Sequence, residues 1–92
     1  NLSDFERPLN ERGIKTAPFM GRLMAKKNFQ PEIILSSPAV RAKQTAMMVK
    51  KAGAMQAEIR YDERIYEASP LRLMEIVSET ENIVESILLV GH

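Results

Sequence analysis

Leu35-Ser36-Ser37-Pro38-Ala39-Val40-Arg41-Ala42-Lys43-Gln44-Thr45 is the stretch that decides how this chain folds. It continues the apolar run Ile33-Ile34-Leu35, bounded by Pro31 upstream and two serines downstream. A short unbroken apolar run of this kind predicts a strand buried on both faces, as in a parallel sheet. The period then changes. Ser37 followed by Pro38 predicts a helix start: a hydroxyl N-cap, then a proline at the first helical position, where its missing N–H costs nothing. Ala39, Ala42, Ala46 and Val49 then mark one apolar helix face, and Gly53 can close the helix.

The charges at this helix start run against the dipole. The first turns carry Arg41 and Lys43 and no acid, although the N-terminal end of a helix is already its positive pole. An anion resolves the conflict, because free N–H groups, the dipole and a guanidinium fork would all act on one phosphate-like group. On this stretch alone a solvated Arg41 is the simpler reading. The end of the chain tips the balance. Ser86-Ile87-Leu88-Leu89-Val90-Gly91-His92 is another buried-type strand, running into Gly-His. Ligands of open α/β sheets sit beyond the carboxyl ends of the strands, so Arg41 and His92 are expected at one rim, each just past a strand.

Composition sets the bounds. Ninety-two residues make one small domain with a modest core, filled by aliphatic residues and six methionines, since there are two Tyr, three Phe and no Trp. A net charge of +1 supplies no field that would favour nucleic acid or an anionic membrane. The absence of cysteine excludes disulfides and thiolate metal sites and fits a cytoplasmic chain. No apolar stretch approaches the roughly 20 residues of a membrane-spanning helix.

Taken in order, residues 1–9 read as loop. Asn10 can cap a helix from residue 11 to about residue 27, with Ile14, Ala17, Gly21 and Met24 on its apolar face. Pro18 should kink this helix or restart it after Ala17. The strand–helix unit described above follows. Residues 57–61 read as a shorter edge strand, residues 62–68 as loop, and Ser69-Pro70 repeats the Ser-Pro helix start before Leu73, Met74 and Val77. The order α-β-α-β-α-β argues for a parallel sheet with helices on its faces. The very apolar last strand suggests a neighbour that these residues do not provide.

Together these residues resemble a known family. The stretch from Leu35 to Thr45 is similar to the S-S-P-x-x-R-A-x-Q-T pattern of the histidine phosphatase superfamily, which has the phosphoglycerate-mutase-like fold. Val90-Gly91-His92 resembles its second histidine motif. Asp4-Phe5-Glu6-Arg7-Pro8-Leu9-Asn10-Glu11-Arg12-Gly13 resembles the segment that marks the small SixA-type phosphohistidine phosphatases, and Ile65-Tyr66-Glu67-Ala68 matches a weaker feature. There is one departure. The family opens with a strand ending in Arg-His-Gly, whose histidine accepts the phosphoryl group; here His92 is the only histidine, and it matches the second family position. The resemblance implies that residues 1–92 form a single three-layer α/β/α domain with a mainly parallel sheet. It also implies that the domain is truncated at both ends, lacking the first family strand and the C-terminal part.

What the resemblance implies for function follows. The complete protein is expected to be a phosphatase that forms a phosphohistidine intermediate on a nucleophile outside this chain. Arg41, Arg7 and His92 would neutralise the transferring oxygens, without cofactor or metal. Glu67 would be either a general acid or a structural residue. The expected substrate is phosphohistidine on a signal-transduction protein such as a histidine-containing phosphotransfer domain. The alternatives are a small phosphorylated metabolite, or a phosphate-binding module with no turnover. Neither nucleic acid nor membrane is an expected partner.

Overall fold

The computed structural model describes residues 3–81 and 86–91. Its elements run α1 (Glu11–Lys26), β1 (Ile33–Ser36), α2 (Val40–Ala52), β2 (Glu58–Tyr61), a 3-10 turn (Glu63–Ile65), α3 (Pro70–Glu81) and β3 (Ile87–Val90). The three strands form one parallel sheet in the order β2-β1-β3. The expected α/β alternation is therefore present, with β2 at an edge.

The sheet separates two cores. On one face, Ile34 packs with Ala17 of α1, with Ala42, Ala46 and Val49 of α2, and with Val90. On the other, Ile33 and Leu35 pack with Ile65 and with Ile76 of α3. This is the expected three-layer α/β/α sandwich, and all four β1 residues are buried because β1 is central and covered on both sides. Small side chains along α2 let that helix lie close on the sheet; Ala39 and Ala46 are completely buried. Among the described residues, no helix is long and apolar enough to cross a membrane.

Local signals explain most boundaries. Asn10 caps α1, its Oδ1 accepting from the Gly13 N–H at 2.9 Å. Ser69 caps α3: its Oγ accepts from Arg72 N at 3.2 Å, with Pro70 at the first helical position. Both α1 and α2 end in Schellman motifs. Asn28 (φ 60°) and Ala54 (φ 50°) take the left-handed position, and Phe29 N and Met55 N reach back to the carbonyls of Met24 and Lys50.

Two local expectations need correction. α2 does not start at Pro38 with a Ser37 cap. It starts at Val40 because Ala39 is still extended (φ −58°, ψ 145°); Ser37 Oγ does accept the Ala39 N–H at 3.2 Å, while the Ser37 N–H goes to Val90 O (3.0 Å) and the Val40 N–H to Phe5 O (3.0 Å). Tertiary bonds thus satisfy amides that a helix start leaves without an intrahelical partner. α1 also runs unbroken through Pro18. The proline's lost bond and ring clash cost about 3 kcal/mol, which the packing of α1 against α2 offsets. Gly53 closes α2 but has φ −87°, so backbone freedom is not its role. A Cβ on Gly53 would lie 2.9 Å from Gly21 O, and one on Gly21 would lie 2.6 Å from Val49 O. The two glycines let the helices touch backbone to backbone.

Candidate functional site

The three strands end level: Ser36 is in register with Tyr61 of β2 on one side and with Val90 of β3 on the other. The segments that follow each strand therefore meet at one rim, the carboxyl edge where α/β sheets bind ligands. Arg41 follows β1, Glu67 follows β2 and Gly91 follows β3. The bond from Ser37 N to Val90 O joins the first of these segments to the third.

Arg41 is held from outside its own helix. Its Nη1 donates to the main-chain oxygen of Asp4 (2.9 Å) and its Nη2 to Asp4 Oδ2 (3.0 Å). The hydrogen bond donated to the Asp4 carboxylate is the main reason that the guanidinium proton is held more tightly than usual, so Arg41 stays charged. Of the two unfavourable cations at the start of α2, Arg41 thus does meet an anion, and it is this carboxylate. Lys43 is not part of the arrangement: its Nζ lies 5.3 Å from the centroid of the Tyr61 ring.

Asp4 also organises Arg7. The Asp4 carbonyl that accepts from Arg41 accepts the Arg7 N–H at 3.3 Å. Arg7 and Arg41 then line one shallow hollow of about 280 Å³ with Asp4, Pro8, Leu9 and Asn10. Gln44 secures the far side of this loop, its Oε1 accepting from Leu9 N at 2.8 Å. Phe5 anchors the near side through its carbonyl on Val40 and through a T-shaped contact with Tyr66, the ring centroids 5.1 Å apart.

Glu67 occupies an unusual backbone position. Tyr66 (φ −63°, ψ 121°) and Glu67 (φ 54°) form the corner of a type II turn closed by Ala68 N to Ile65 O, 3.2 Å. That corner favours glycine, so a glutamate there is strained. Glu67's charge acts on both Arg41 and Tyr66, which places it in the same cluster. The Tyr66 hydroxyl donates to Asp4 Oδ2 at 3.0 Å. Burial first, and then the carboxylates of Asp4 and Glu67, push that hydroxyl up to about 12, so it remains a donor.

The structure therefore gathers Arg7, Arg41 and Glu67 at one rim. His92 lies outside the described residues, and its neighbour Gly91 is at the same rim. A Cβ on Gly91 would meet Ile65 Cγ2 at an ordinary 3.6 Å, so packing does not require the glycine. Asp4, Tyr66 and Gln44 are the members that site reasoning from sequence passed over. All three lie inside the quoted motifs, but their partners are up to 62 residues away. Among the described residues no group of three His, Cys, Asp or Glu side chains is placed to hold a metal. Chemically, the rim offers two planar cations on an open hollow, with a phenol hydrogen-bonded to the Asp4 carboxylate beside it, a set suited to a phosphate-like oxyanion.

Residues 3–86 match the histidine phosphatase superfamily (branch 1). An uncharacterized protein of Mycobacterium tuberculosis is 33% identical over 91 residues, which are 99% of this chain and 55% of that protein. A crystal structure from Agrobacterium tumefaciens, described as a candidate phosphohistidine phosphatase SixA, superposes with a TM-score of 0.89 at 33% identity, covering 100% of this chain and 58% of that one. A protein histidine phosphatase SixA solved with tungstate gives a TM-score of 0.84 at 23% identity, covering 100% and 60% respectively, a likeness of fold. The chain spans little more than half the length of these relatives.

Proposed function

The chain belongs to the histidine phosphatase superfamily, and from that premise we propose that the complete protein is a phosphohistidine phosphatase acting on a histidine of another protein domain. The observation that carries this reading is the pairing of Arg7 and Arg41 on one open hollow, with the Arg41 guanidinium and the Arg7 main-chain N–H both donating to the main-chain oxygen of Asp4. Charge on a transferring phosphoryl group is spread over three oxygens, and fixed guanidinium forks stabilise it without reorganising. A shallow hollow admits a phosphorylated side chain still attached to its domain, whereas a small metabolite gains few contacts there.

The reaction consists of two displacements. A ring nitrogen of a histidine beyond this chain forms a bond to phosphorus while the substrate's P–N bond breaks, and the departing imidazole takes up a proton. Water then forms the new P–O bond, the enzyme's P–N bond breaks, and inorganic phosphate leaves. Arg7 and Arg41 hold the non-bridging oxygens, and His92 donates a hydrogen bond to them. Glu67 has little acid work to do, because a protonated imidazole is a good leaving group. The half-buried residues Ile87, Leu88 and Leu89, beside an apolar hollow lined by Met20, Met24 and Val49, support a further strand alongside β3 carrying the nucleophile.

The test gives the complete protein a phosphorylated phosphotransfer domain and, separately, a sugar phosphate, and measures the phosphate released. Faster turnover of the protein substrate is expected. A sugar phosphate turned over far faster would replace this reading with a metabolite phosphatase. Anion binding without release from either substrate would replace it with a phosphate-binding module.

A further inference from the structure

We propose that Asp4 is the positioning residue for Arg41, holding the terminal edge of its guanidinium so that the Nε edge is presented to the oxyanion. The proposal rests on the phosphoryl-transfer reading of the rim. Its basis is the two-point grip: Arg41 Nη1 on the Asp4 carbonyl at 2.9 Å and Nη2 on Asp4 Oδ2 at 3.0 Å. A guanidinium is a rigid planar fork, so fixing one N–H on each terminal nitrogen fixes the whole plane. The Nε–H and one N–H on each terminal nitrogen remain, and an oxyanion can take two of them side-on while Asp4 stays bound. A carboxylate acting as a plug would instead cover the Nε edge, which Asp4 does not do.

The grip is itself held. Tyr66 donates to the same Oδ2 at 3.0 Å, and its ring stands edge-on to Phe5. The Asp4 carbonyl also accepts from Arg7 N, and the Phe5 carbonyl from Val40 N, one residue before Arg41. Arg41 and Tyr66, from two separate segments, thus converge on one carboxylate that is 53% exposed. An ion pair this exposed contributes little to stability. Its evident effect is on where the guanidinium plane lies, and transition-state stabilisation depends steeply on such placement.

The experiment is a double-mutant cycle in the complete protein, read by kcat/KM on phosphohistidine and by the inhibition constant for tungstate. Asp4→Ala should weaken tungstate binding and lower kcat/KM, each by about tenfold, and Arg41→Ala should cost more in both. In the Arg41→Ala background, Asp4→Ala should change neither. A residue that only supports the loop would lower activity equally in both backgrounds. Asp4→Asn should restore most of the loss, since its carbonyl oxygen accepts the same bonds. Tyr66→Phe keeps the ring contact and should lose a smaller part, which carries the cycle if Asp4→Ala does not fold. Additive losses, or tighter tungstate binding in Asp4→Ala, would overturn the proposal in favour of a scaffold or a plug. Unchanged tungstate binding in Arg41→Ala would instead overturn the anion-site reading beneath it.

Discussion

Arg41 and Asp4 are joined at two points across 37 residues of sequence, one bond to the side chain and one to the main chain. This doubled contact makes the guanidinium a fixed fork, and lysine cannot reproduce it, because an ammonium is a compact point charge without a plane. Arg41→Lys should therefore keep the charge and still lower kcat/KM in the complete protein. A loss of about 100-fold, near 2.7 kcal/mol, is the size expected for one displaced oxyanion donor. Steady-state kinetics check this, with the melting temperature unchanged to within a few degrees.

Glu67 separates strain from chemistry. Glycine at its left-handed corner removes the backbone penalty, so Glu67→Gly should raise stability by about 1 kcal/mol. Glu67→Gln keeps the strain and removes the acid. It should change turnover of phosphohistidine by less than about tenfold, under roughly 1.4 kcal/mol of barrier. Urea unfolding checks the first and kinetics the second. Abolished activity in Glu67→Gln would assign it the general-acid role.

The Gly21 contact predicts a sign. Glycine to alanine inside a helix is ordinarily worth about 1 kcal/mol in favour of alanine. Here the added methyl would sit 2.6 Å from Val49 O, a backbone atom that cannot swing away. Overpacking of this kind costs about 1–3 kcal/mol, so Gly21→Ala should be net destabilising. Thermal unfolding measures it, and a stabilised variant would mean that α1 and α2 can separate freely.

Arg64 gives a pH dependence. It bridges Asp62 (2.7 Å) and Glu79 of α3 (3.0 Å). Its hydrogen bonds hold the Asp62 and Glu79 carboxyls below their ordinary ranges. The folded protein thus binds these protons less readily than the unfolded chain. The stabilisation is present above the ordinary carboxylate range and is lost as pH falls through the lowered folded values. The gap in melting temperature between the complete protein and its Arg64→Ala variant should be open near pH 6 and close towards pH 3. Salt at about 0.5 M should narrow it at every pH, because these pairs face solvent.

How far the sequence disclosed this molecule depended on where each residue's partners lie. The caps at Asn10 and Ser69 were legible because a cap bonds within its own first turn. The same Ser-Pro signal misplaced the start of α2: Ser37 Oγ does bond the Ala39 N–H, but Ala39 stays extended, in a segment tied to Val90 more than fifty positions downstream. Pro18 misled for the converse reason: the local penalty was read correctly, but the helix packing that offsets it was invisible. At the rim, Arg41 could be placed by strand order, whereas Arg7 and Glu67 were named through the resemblance of their segments to the family's motifs. Asp4 and Tyr66 could not be given roles, since their bonds connect three segments that only the folded sheet brings together.

The level ending of the strands at Ser36, Tyr61 and Val90 has a thermodynamic consequence. Arg41, Glu67 and Gly91 arrive from three different strands, so no contiguous peptide carries the rim. An oxyanion that binds there engages only the assembled sheet, and its binding adds about RT ln(1 + [L]/Kd) to the unfolding free energy. At a hundredfold excess over Kd this is about 2.7 kcal/mol. An oxyanion held by Arg7 and Arg41 would therefore stabilise the assembled rim, and amide exchange at Ile34 and Leu88, which lie along the sheet below the rim, should slow when it binds.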